Sequence, residues 1–235
     1  MTLNSVQRVI VPTVYGVKQS PFVRKVRAFL YAKGRKYNSI SVMPGDSRAT
    51  FRKISPFGKV PGYREGSLKL CDSSVICAYL ERSTPQPALF PLDPKEMAHA
   101  LWVEEYCDTF VAKMLTFRLL YQCFIKPAFQ HRKPDEELVK QTLEEEVPPI
   151  FDYLEGIVNG EEYLVNDELS IGDIALMSHL VSYEYSGHEI DAAQWKKLSD
   201  YYSFMRKTPL FEKVLTEENA PFISMFRDFD WLGLE

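Results

Sequence analysis

The sequence has neither a strong net charge nor a long uninterrupted apolar run. Its 28 basic and 32 acidic residues leave a formal charge of −4, which provides no basic footprint for nucleic acid. The longest apolar stretch, residues 110–125, contains Lys113 and Arg118 and is too short to cross a bilayer. The N-terminal segment also lacks the basic and apolar regions of a secretory signal. We therefore expect neither nucleic acid nor a membrane as a partner.

Cysteine is scarce, and its spacing excludes several kinds of site. The chain contains four cysteines, Cys71, Cys77, Cys107 and Cys123. They form no CxxC pair and no pattern typical of zinc sites, and the four histidines show no ligand spacing either, so no metal site is predicted. Scattered cysteines in a chain of 235 residues are typical of reduced, buried thiols and favour a cytoplasmic location.

The first third of the chain alternates between strand-like and helix-like patterns. Apolar residues recur at helical spacing after Ser20-Pro21 and stop at Lys33-Gly34, a typical helix end. The predicted order is strand 8–16, helix 20–34, strand 36–43, short helix 46–54, hairpin 63–70 and helix 73–81. A strand–helix–strand crossover followed by a hairpin predicts an α/β domain, in which helices cover a small mixed sheet.

A proline-rich segment separates this part from an all-helical remainder. Residues 83–94 hold four prolines and cannot continue a helix. The predicted organisation is an α/β domain of residues 1–82, a linker of residues 83–93 and an all-α domain of residues 94–235. Helices are predicted at 95–124, at 134–157 with a kink or break at Pro148-Pro149, and at 170–185, 192–206 and 209–215. The aromatic-rich tail, residues 220–235, is expected to pack back onto the protein.

One polar turn in the second part has a structural interpretation. The residues Ser170-Ile171-Gly172-Asp173 have the form of a capping box, in which the serine caps a helix and the acidic residue returns a hydrogen bond. An aspartate in such a turn can suggest a catalytic group. The pattern predicts instead that Asp173 stabilises the start of a helix.

Ser20 lies at a predicted strand-to-helix junction, in the segment YGVKQSPF of residues 15–22. Serine at an N-cap followed by proline is an ordinary helix start. The same geometry suits an anion such as a thiolate, because free amides and the positive end of the helix dipole favour negative charge. A serine hydroxyl can donate a hydrogen bond to that sulfur without acting as a nucleophile. Helix capping and thiol activation are compatible roles, and both remain open.

A second segment, SPFGKVPGYREGSLKLCDSSVICAYL of residues 55–80, identifies a family. It places Val60-Pro61 before a hairpin with a glycine turn, and Asp72-Ser73 at a helix start. In this order it resembles the glutathione site of the cytosolic glutathione transferases. Residues 20–34, SPFVRKVRAFLYAKG, resemble the first helix of the serine-type classes, among tau-, zeta- and omega-like and bacterial members. Cysteine-type, omega-like relatives carry a cysteine where this chain has Ser20, which argues against a thiol-disulfide reductase.

The resemblance implies a thioredoxin-like N-terminal domain that binds glutathione as a co-substrate. Ser20 would be the catalytic residue that stabilises the thiolate, with Phe22 beside it in the glutathione site. Pro61 would be the cis-proline of that fold. The backbone of Val60 would then pair with the cysteine residue of glutathione as an added strand would.

The resemblance also assigns the two ends of the peptide. Lys59 would reach the glycine carboxylate. Asp72 would bind the ammonium of the γ-glutamyl end, and Ser73 with the helix amides would bind its carboxylate. Since glutamate or glutamine is commoner than aspartate at this position in the family, Asp72 is a departure with a shorter side chain.

The second substrate is expected to bind between the domains, facing Ser20. The candidates for this pocket are Tyr106, Phe110, Met114, Phe117 and Arg118, together with aromatic residues of the tail. Phe57 stands where some family members insert an aromatic side chain into the partner subunit. The resemblance therefore implies a homodimer.

The function implied by these residues is conjugation of glutathione to a small hydrophobic electrophile, a detoxification reaction. An isomerase, dehalogenase or peroxidase that uses glutathione on the same scaffold is an alternative within enzymes. A regulatory or binding protein that keeps the fold without turnover is an alternative of a different class, because fold does not dictate function.

Overall fold

The computed structural model describes residues 10–158 and 162–218, so the predicted aromatic tail lies outside the described residues. The first elements in chain order are β1 (Thr13–Tyr15), α1 (Pro21–Ala32), β2 (Asn38–Ile40), α2 (Ala49–Arg52), β3 (Gly62–Glu65), β4 (Leu68–Cys71) and α3 (Ser73–Ser83). Within the described ranges, these four strands form a mixed sheet in the order β2-β1-β3-β4, with β1 and β2 parallel and β3 antiparallel to its neighbours. The predicted crossover and hairpin are confirmed.

The strands of the crossover are shorter than predicted. β1 begins after Pro12, whose carbonyl accepts a hydrogen bond from the Asn38 amide at 2.8 Å. All three residues of β2 are exposed at the edge of the sheet. The predicted strand of residues 36–43 is therefore too long at both ends.

The rest of the described chain is helical. It contains α4 (Pro94–Tyr106), a π-helical segment (Cys107–Ile125), α5 (Lys126–Gln130), α6 (Glu136–Gln141), a second π-helical segment (Thr142–Glu146), α7 (Val147–Ile157), α8 (Ile171–Tyr185), α9 (Lys196–Lys207) and α10 (Pro209–Thr216). The predicted α/β part followed by an all-α part is confirmed. Among the described helices, none combines the length and the apolar character that a membrane span requires.

Of the predicted kink or break at Pro148-Pro149, the break is not observed. Helical structure runs without interruption from Glu136 to Ile157. The two prolines lie in the first turn of α7, directly after the second π-helical segment. Proline is tolerated in the first turn because its missing N–H has no helical partner there.

α9 begins at Lys196, later than the predicted start at residue 192. The carbonyl of Asp191 accepts the Trp195 amide at 2.8 Å and so holds a turn before the helix. The carboxylate of Glu155, from α7, then accepts the amides of Lys197 at 3.0 Å and Leu198 at 2.8 Å. A residue that lies about 40 positions earlier in the chain therefore caps this helix, and no local pattern could reveal it.

Asp173 has the structural role that its capping box predicted. Its fully buried carboxylate accepts hydrogen bonds from the Ser170 amide at 2.8 Å and hydroxyl at 2.7 Å. It also accepts bonds from the Leu164 amide and the Tyr201 hydroxyl, both at 2.9 Å. Burial raises the pKa of this carboxyl, but the four donors satisfy it. Asp173 thereby joins the start of α8 to the preceding loop and to α9.

The core is centred on α8, which is buried along almost its whole length. It packs against α4, the first π-helical segment and α1. The helical part thus contacts the α/β part directly through α1. On α1 itself, Arg24, Lys25 and Arg27 are buried together with the apolar residues, which is unusual for side chains that carry a charge.

Candidate functional site

The predicted thiol-stabilising residue, Ser20, lies at the start of α1. Its carbonyl accepts the Arg24 amide at 2.8 Å, and Pro21 occupies the first helical position. The helix start is therefore where the sequence placed it. The Ser20 hydroxyl makes no capping hydrogen bond and the residue is partly exposed. This O–H group is available to a ligand at the helix end, where free amides favour an anion.

The end of β1 brings α1 close to the Val60-Pro61 segment. Gly16 has a φ of 151°, and a Cβ added there would lie 2.5 Å from Val23 Cγ2 and 3.1 Å from Val60 Cβ. Glycine permits this approach because it has no Cβ. The Val60–Pro61 peptide bond is cis, with Pro61 buried and Val60 partly exposed. Val60 therefore lies beside the first turn of the helix that Ser20 begins.

The backbone of Lys59 is held by a hydrogen bond, whereas its side chain is exposed. The Lys59 carbonyl accepts a hydrogen bond from the Ser55 hydroxyl at 2.7 Å. The Lys59 side chain is exposed and has no ion-pair partner among residues 10–158 and 162–218. Its ammonium group is therefore available to an anionic group of a ligand.

Asp72 caps α3 from a backbone with a φ of 83°. Its Oδ1 atom accepts the amide of Ser74 at 3.0 Å and that of Val75 at 3.2 Å. Both bonds go to one oxygen, and Oδ2 has no hydrogen-bond partner within the described part of the chain. Ser73 is buried at the first helical position. Asp72 therefore caps the helix and leaves one carboxylate oxygen for a ligand.

A buried network of charged groups connects α1, α3, α4 and α8, and the sequence did not reveal it. Lys25 Nζ forms ion pairs with Glu104, at 2.8 Å, and with Asp108, and it contacts the Ser74 hydroxyl at 3.2 Å. Asp108 also lies 3.2 Å from His179 Nε2. Ser74 follows Ser73 at the start of α3, so this network ends next to two predicted ligand-binding residues. His179 has a partner at each ring nitrogen, Thr116 at Nδ1 and Asp108 at Nε2.

Burial and charge have opposite effects within this network. Burial disfavours the Lys25 ammonium, but the carboxylates of Asp108 and Glu104 outweigh it and raise the pKa of Lys25. Burial alone would raise the pKa of Asp108, whereas the His179 hydrogen bond and the Lys25 charge lower it to about 2. Burial lowers the pKa of His179. These effects favour the charged forms of Lys25 and Asp108 and the neutral form of the His179 imidazole.

Phe22 and Phe117 form an aromatic pair near the start of α1. Their ring centroids are 6.1 Å apart, and the His179 ring centroid lies 5.2 Å from that of Phe22 in an edge-to-face arrangement. Phe22 follows Ser20 by two residues and is partly exposed, while Phe117 is 61% exposed. The structure thus brings one predicted pocket residue, Phe117, against a predicted glutathione-site residue, Phe22.

Tyr106 and Phe110 lie in a different group of rings, which we call the helical aromatic cluster: Trp102, Tyr106, Phe110 and Tyr153. Tyr106 lies 5.6 Å from Phe110 and 4.6 Å from Tyr153, between ring centroids. The Trp102 indole donates to the Tyr153 hydroxyl at 2.6 Å. Trp102 and Phe110 are more than half exposed, so the cluster forms an aromatic surface.

The five predicted pocket residues therefore have different surroundings. Met114 is buried in the core, and Arg118 forms an ion pair with Glu146 at 3.2 Å. The segment that carries Phe110, Met114, Phe117 and Arg118 is π-helical, with i→i+5 bonding. The described contacts leave Phe117 as the candidate next to α1.

The cysteines are free, as predicted, but only part of the burial expectation is correct. Cys77 and Cys107 are buried, whereas Cys71 and Cys123 are partly exposed. Burial raises the pKa of Cys123 to about 11, which keeps its thiol protonated. Among the described residues, no cluster of His, Cys, Asp and Glu could hold a metal ion.

Both halves of the chain match models of one family. Residues 14–88 match the glutathione S-transferase N-terminal domain, and residues 120–218 match the glutathione S-transferase C-terminal domain. A glutathione S-transferase of Hyoscyamus muticus is 30% identical over 169 residues, which cover 68% of this chain and 77% of the relative. FtsZ-localized protein A of Caulobacter vibrioides (strain NA1000 / CB15N) is 22% identical over 209 residues, which cover 87% of this chain and 91% of the relative.

A solved structure shows the same fold. The crystal structure of a glutathione S-transferase from Rhodospirillum rubrum F11 has a TM-score of 0.81 and 24% sequence identity. The match covers 90% of this chain and 95% of the neighbour. The sheet and the helices that follow it are therefore arranged as in that protein.

Proposed function

This chain belongs to the glutathione S-transferase family, and we propose that it conjugates the thiol of glutathione to a small hydrophobic electrophile. The observation that carries the proposal is the Ser20 hydroxyl, which is partly exposed at the start of α1 and makes no capping bond. Ser20 is the hydrogen-bond donor for the sulfur. The positive end of α1 favours the thiolate over the thiol.

Glutathione is held along the adjacent backbone and at both of its ends. Its cysteine residue pairs with the backbone of Val60, as an added strand does. Lys59 supplies a cation for the glycine carboxylate. The free Oδ2 of Asp72 binds the ammonium, and Ser73 with the amides of α3 binds the γ-glutamyl carboxylate. This arrangement uses the Lys59 ammonium and the Oδ2 atom of Asp72, which have no partner within the described part of the chain.

The electrophile packs against the Phe22–Phe117 pair, which presents apolar surface next to the sulfur. The enzyme contributes two effects, namely a higher fraction of thiolate and the alignment of the two reactants. Isomerisation, dehalogenation and peroxide reduction would start from the same thiolate. Product analysis with one substrate of each kind distinguishes these reactions.

A non-catalytic protein is the second candidate, and the similarity to FtsZ-localized protein A favours it. In that case the protein keeps the fold to bind a partner, and the glutathione site catalyses no reaction. The two candidates differ in a direct measurement. A glutathione-binding chain that conjugates no electrophile in a broad screen supports the second.

Glutathione binding tests the proposed site through Asp72→Asn. Asparagine keeps the helix cap and tolerates a positive φ, but it removes the charge that attracts the ammonium. We expect the dissociation constant for glutathione, measured by titration calorimetry, to rise about tenfold or more, because a charge-assisted hydrogen bond contributes about 1.5–3 kcal/mol.

Asp93→Asn provides a matched control for this measurement. The Oδ1 atom of Asp93 accepts the amides of Lys95 at 2.9 Å and Glu96 at 3.1 Å, so it caps α4 in the way that Asp72 caps α3. We expect Asp93→Asn to leave glutathione binding unchanged. Equal binding by Asp72→Asn and the wild type would contradict the assignment of the γ-glutamyl end.

We further propose that the protein is a homodimer in which Phe57 inserts into the partner. Phe57 is 81% exposed, and the helical aromatic cluster offers an apolar surface of the kind that such a side chain needs. We expect Phe57→Ala to weaken dimerisation about a hundredfold, since burial of a phenylalanine contributes about 2–3 kcal/mol. Sedimentation velocity over a range of protein concentrations measures this change.

Leu92→Ala is the control, because Leu92 is 86% exposed but lies in the proline-rich segment before α4. We expect it to leave the association constant unchanged. A wild-type chain that sediments as a monomer at every concentration would rule out the dimer.

A further inference from the structure

Glu218, in the turn after α10, connects the helical part of the protein to α1. Its buried carboxylate accepts hydrogen bonds from Arg24 Nε at 2.8 Å and Nη2 at 2.7 Å. It also accepts bonds from Arg27 Nη1 at 3.1 Å and the Tyr185 hydroxyl at 2.9 Å. Both arginine side chains are fully buried. Because buried charges are stable only when they are paired and hydrogen-bonded, the position of α1 depends on this carboxylate.

The same residues hold the backbone that precedes Ser20. Arg24 Nη2 donates to the Gln19 carbonyl at 3.1 Å as well as to Glu218. The Gln19 side chain in turn donates through Nε2 to the Glu218 carbonyl at 2.8 Å. Gln19 is therefore fixed at two points. Arg24 holds its carbonyl, and Glu218, in the turn after α10, holds its side chain.

Arg24 also fixes this turn relative to the core. Its Nη1 donates to the Ser178 carbonyl of α8 at 2.6 Å. One guanidinium group thus joins the Gln19 carbonyl, the Glu218 carboxylate and the central helix. A change in the Glu218 carboxylate would shift this guanidinium, and with it the peptide group next to Ser20.

We propose that Glu218 is a positioning residue of the thiol site, acting through Arg24 and Gln19 to place the Ser20 hydroxyl. This inference rests on the proposed function, because it concerns the same sulfur. Hydrogen bonds weaken steeply when their distance or angle changes. Since the Ser20 hydroxyl has no capping bond to orient it, the placement of its backbone decides how well it reaches the thiolate.

The pKa of the thiol in bound glutathione reports this role directly. It is measured from the absorbance of the thiolate as a function of pH. Glu218→Gln keeps the shape of the side chain but turns an NH2 group toward arginine donors. We expect the bound thiol to become about tenfold less acidic, which is about one pKa unit. The affinity for glutathione should change by less than about threefold, because Glu218 does not contact the peptide in this proposal.

A double-mutant cycle separates positioning from general damage. In a Ser20→Ala background, Glu218→Gln should produce no further change in the thiol pKa. A pKa that is the same in Glu218→Gln and the wild type overturns the inference, and so does an equal shift with and without Ser20. If the wild type itself does not lower the thiol pKa, the proposed function fails and this inference fails with it.

Two further variants complete the design. Glu212→Gln makes the same chemical change at an exposed position of α10 and should leave the thiol pKa unchanged. Gln19→Ala removes only the side-chain bond to the Glu218 carbonyl, so it tests the inference even if Glu218→Gln does not fold. We expect it to shift the thiol pKa in the same direction, and an unchanged value in this variant would count against the proposal.

Discussion

Replacing Ser20 by alanine is expected to lower the kcat for glutathione conjugation about tenfold to a hundredfold. The proposed hydrogen bond to the thiolate is charge-assisted, and such bonds contribute about 1.5–3 kcal/mol. Glutathione affinity should change little, because the peptide is held by other groups. Steady-state kinetics with a reactive aromatic electrophile, together with calorimetry, measure both quantities.

This variant should remain fully folded. The Ser20 hydroxyl makes no capping bond, so its loss leaves the hydrogen bonds of α1 intact. Ser67→Ala, at an exposed position between β3 and β4, is the matched control and should have wild-type kinetics. A Ser20→Ala enzyme with wild-type kcat would remove Ser20 from the mechanism.

Replacing Asp173 by alanine is expected to lower the free energy of unfolding by about 4 kcal/mol or more. The change leaves four donors without their acceptor: the Ser170 amide and hydroxyl, the Leu164 amide and the Tyr201 hydroxyl. Each buried group left unpaired costs about 1–3 kcal/mol. Urea unfolding followed by circular dichroism measures the loss.

Asp167→Ala serves as the comparison, because Asp167 is exposed in the same loop and, among the described residues, accepts the Glu162 amide at 3.2 Å. We expect it to cost less than about 1 kcal/mol. Similar losses in the two variants would mean that Asp173 does not organise the start of α8.

Local signals account for the parts of the fold that the sequence predicted well. Ser20-Pro21 indicates the start of α1 and Lys33-Gly34 its end, and each signal consists of two adjacent residues. The capping box of α8 is equally local, because Ser170 and Asp173 are three positions apart. The positions of Val60-Pro61 and Asp72-Ser73 could be predicted from a resemblance, which supplied roles that periodicity could not.

Long-range contacts account for what the sequence did not show. Arg24, Lys25 and Arg27 are a normal polar face in a helical pattern, yet all three are buried. Their acidic partners lie far along the chain, with Glu104 79 positions after Lys25 and Glu218 194 positions after Arg24. The π-helical segment that carries Phe117 could likewise not be predicted, since its i→i+5 bonding has no clear sequence pattern.

The contact between α1 and Glu218 also constrains how the protein is made. A ribosome synthesises the chain from its N-terminus, and N-terminal domains generally fold first. Here Arg24 and Arg27 are made nearly 200 residues before the carboxylate that pairs with them. Until Glu218 leaves the ribosome, α1 cannot bury both guanidinium groups with their native partner. The α/β domain therefore reaches its native packing only after α10 has been synthesised.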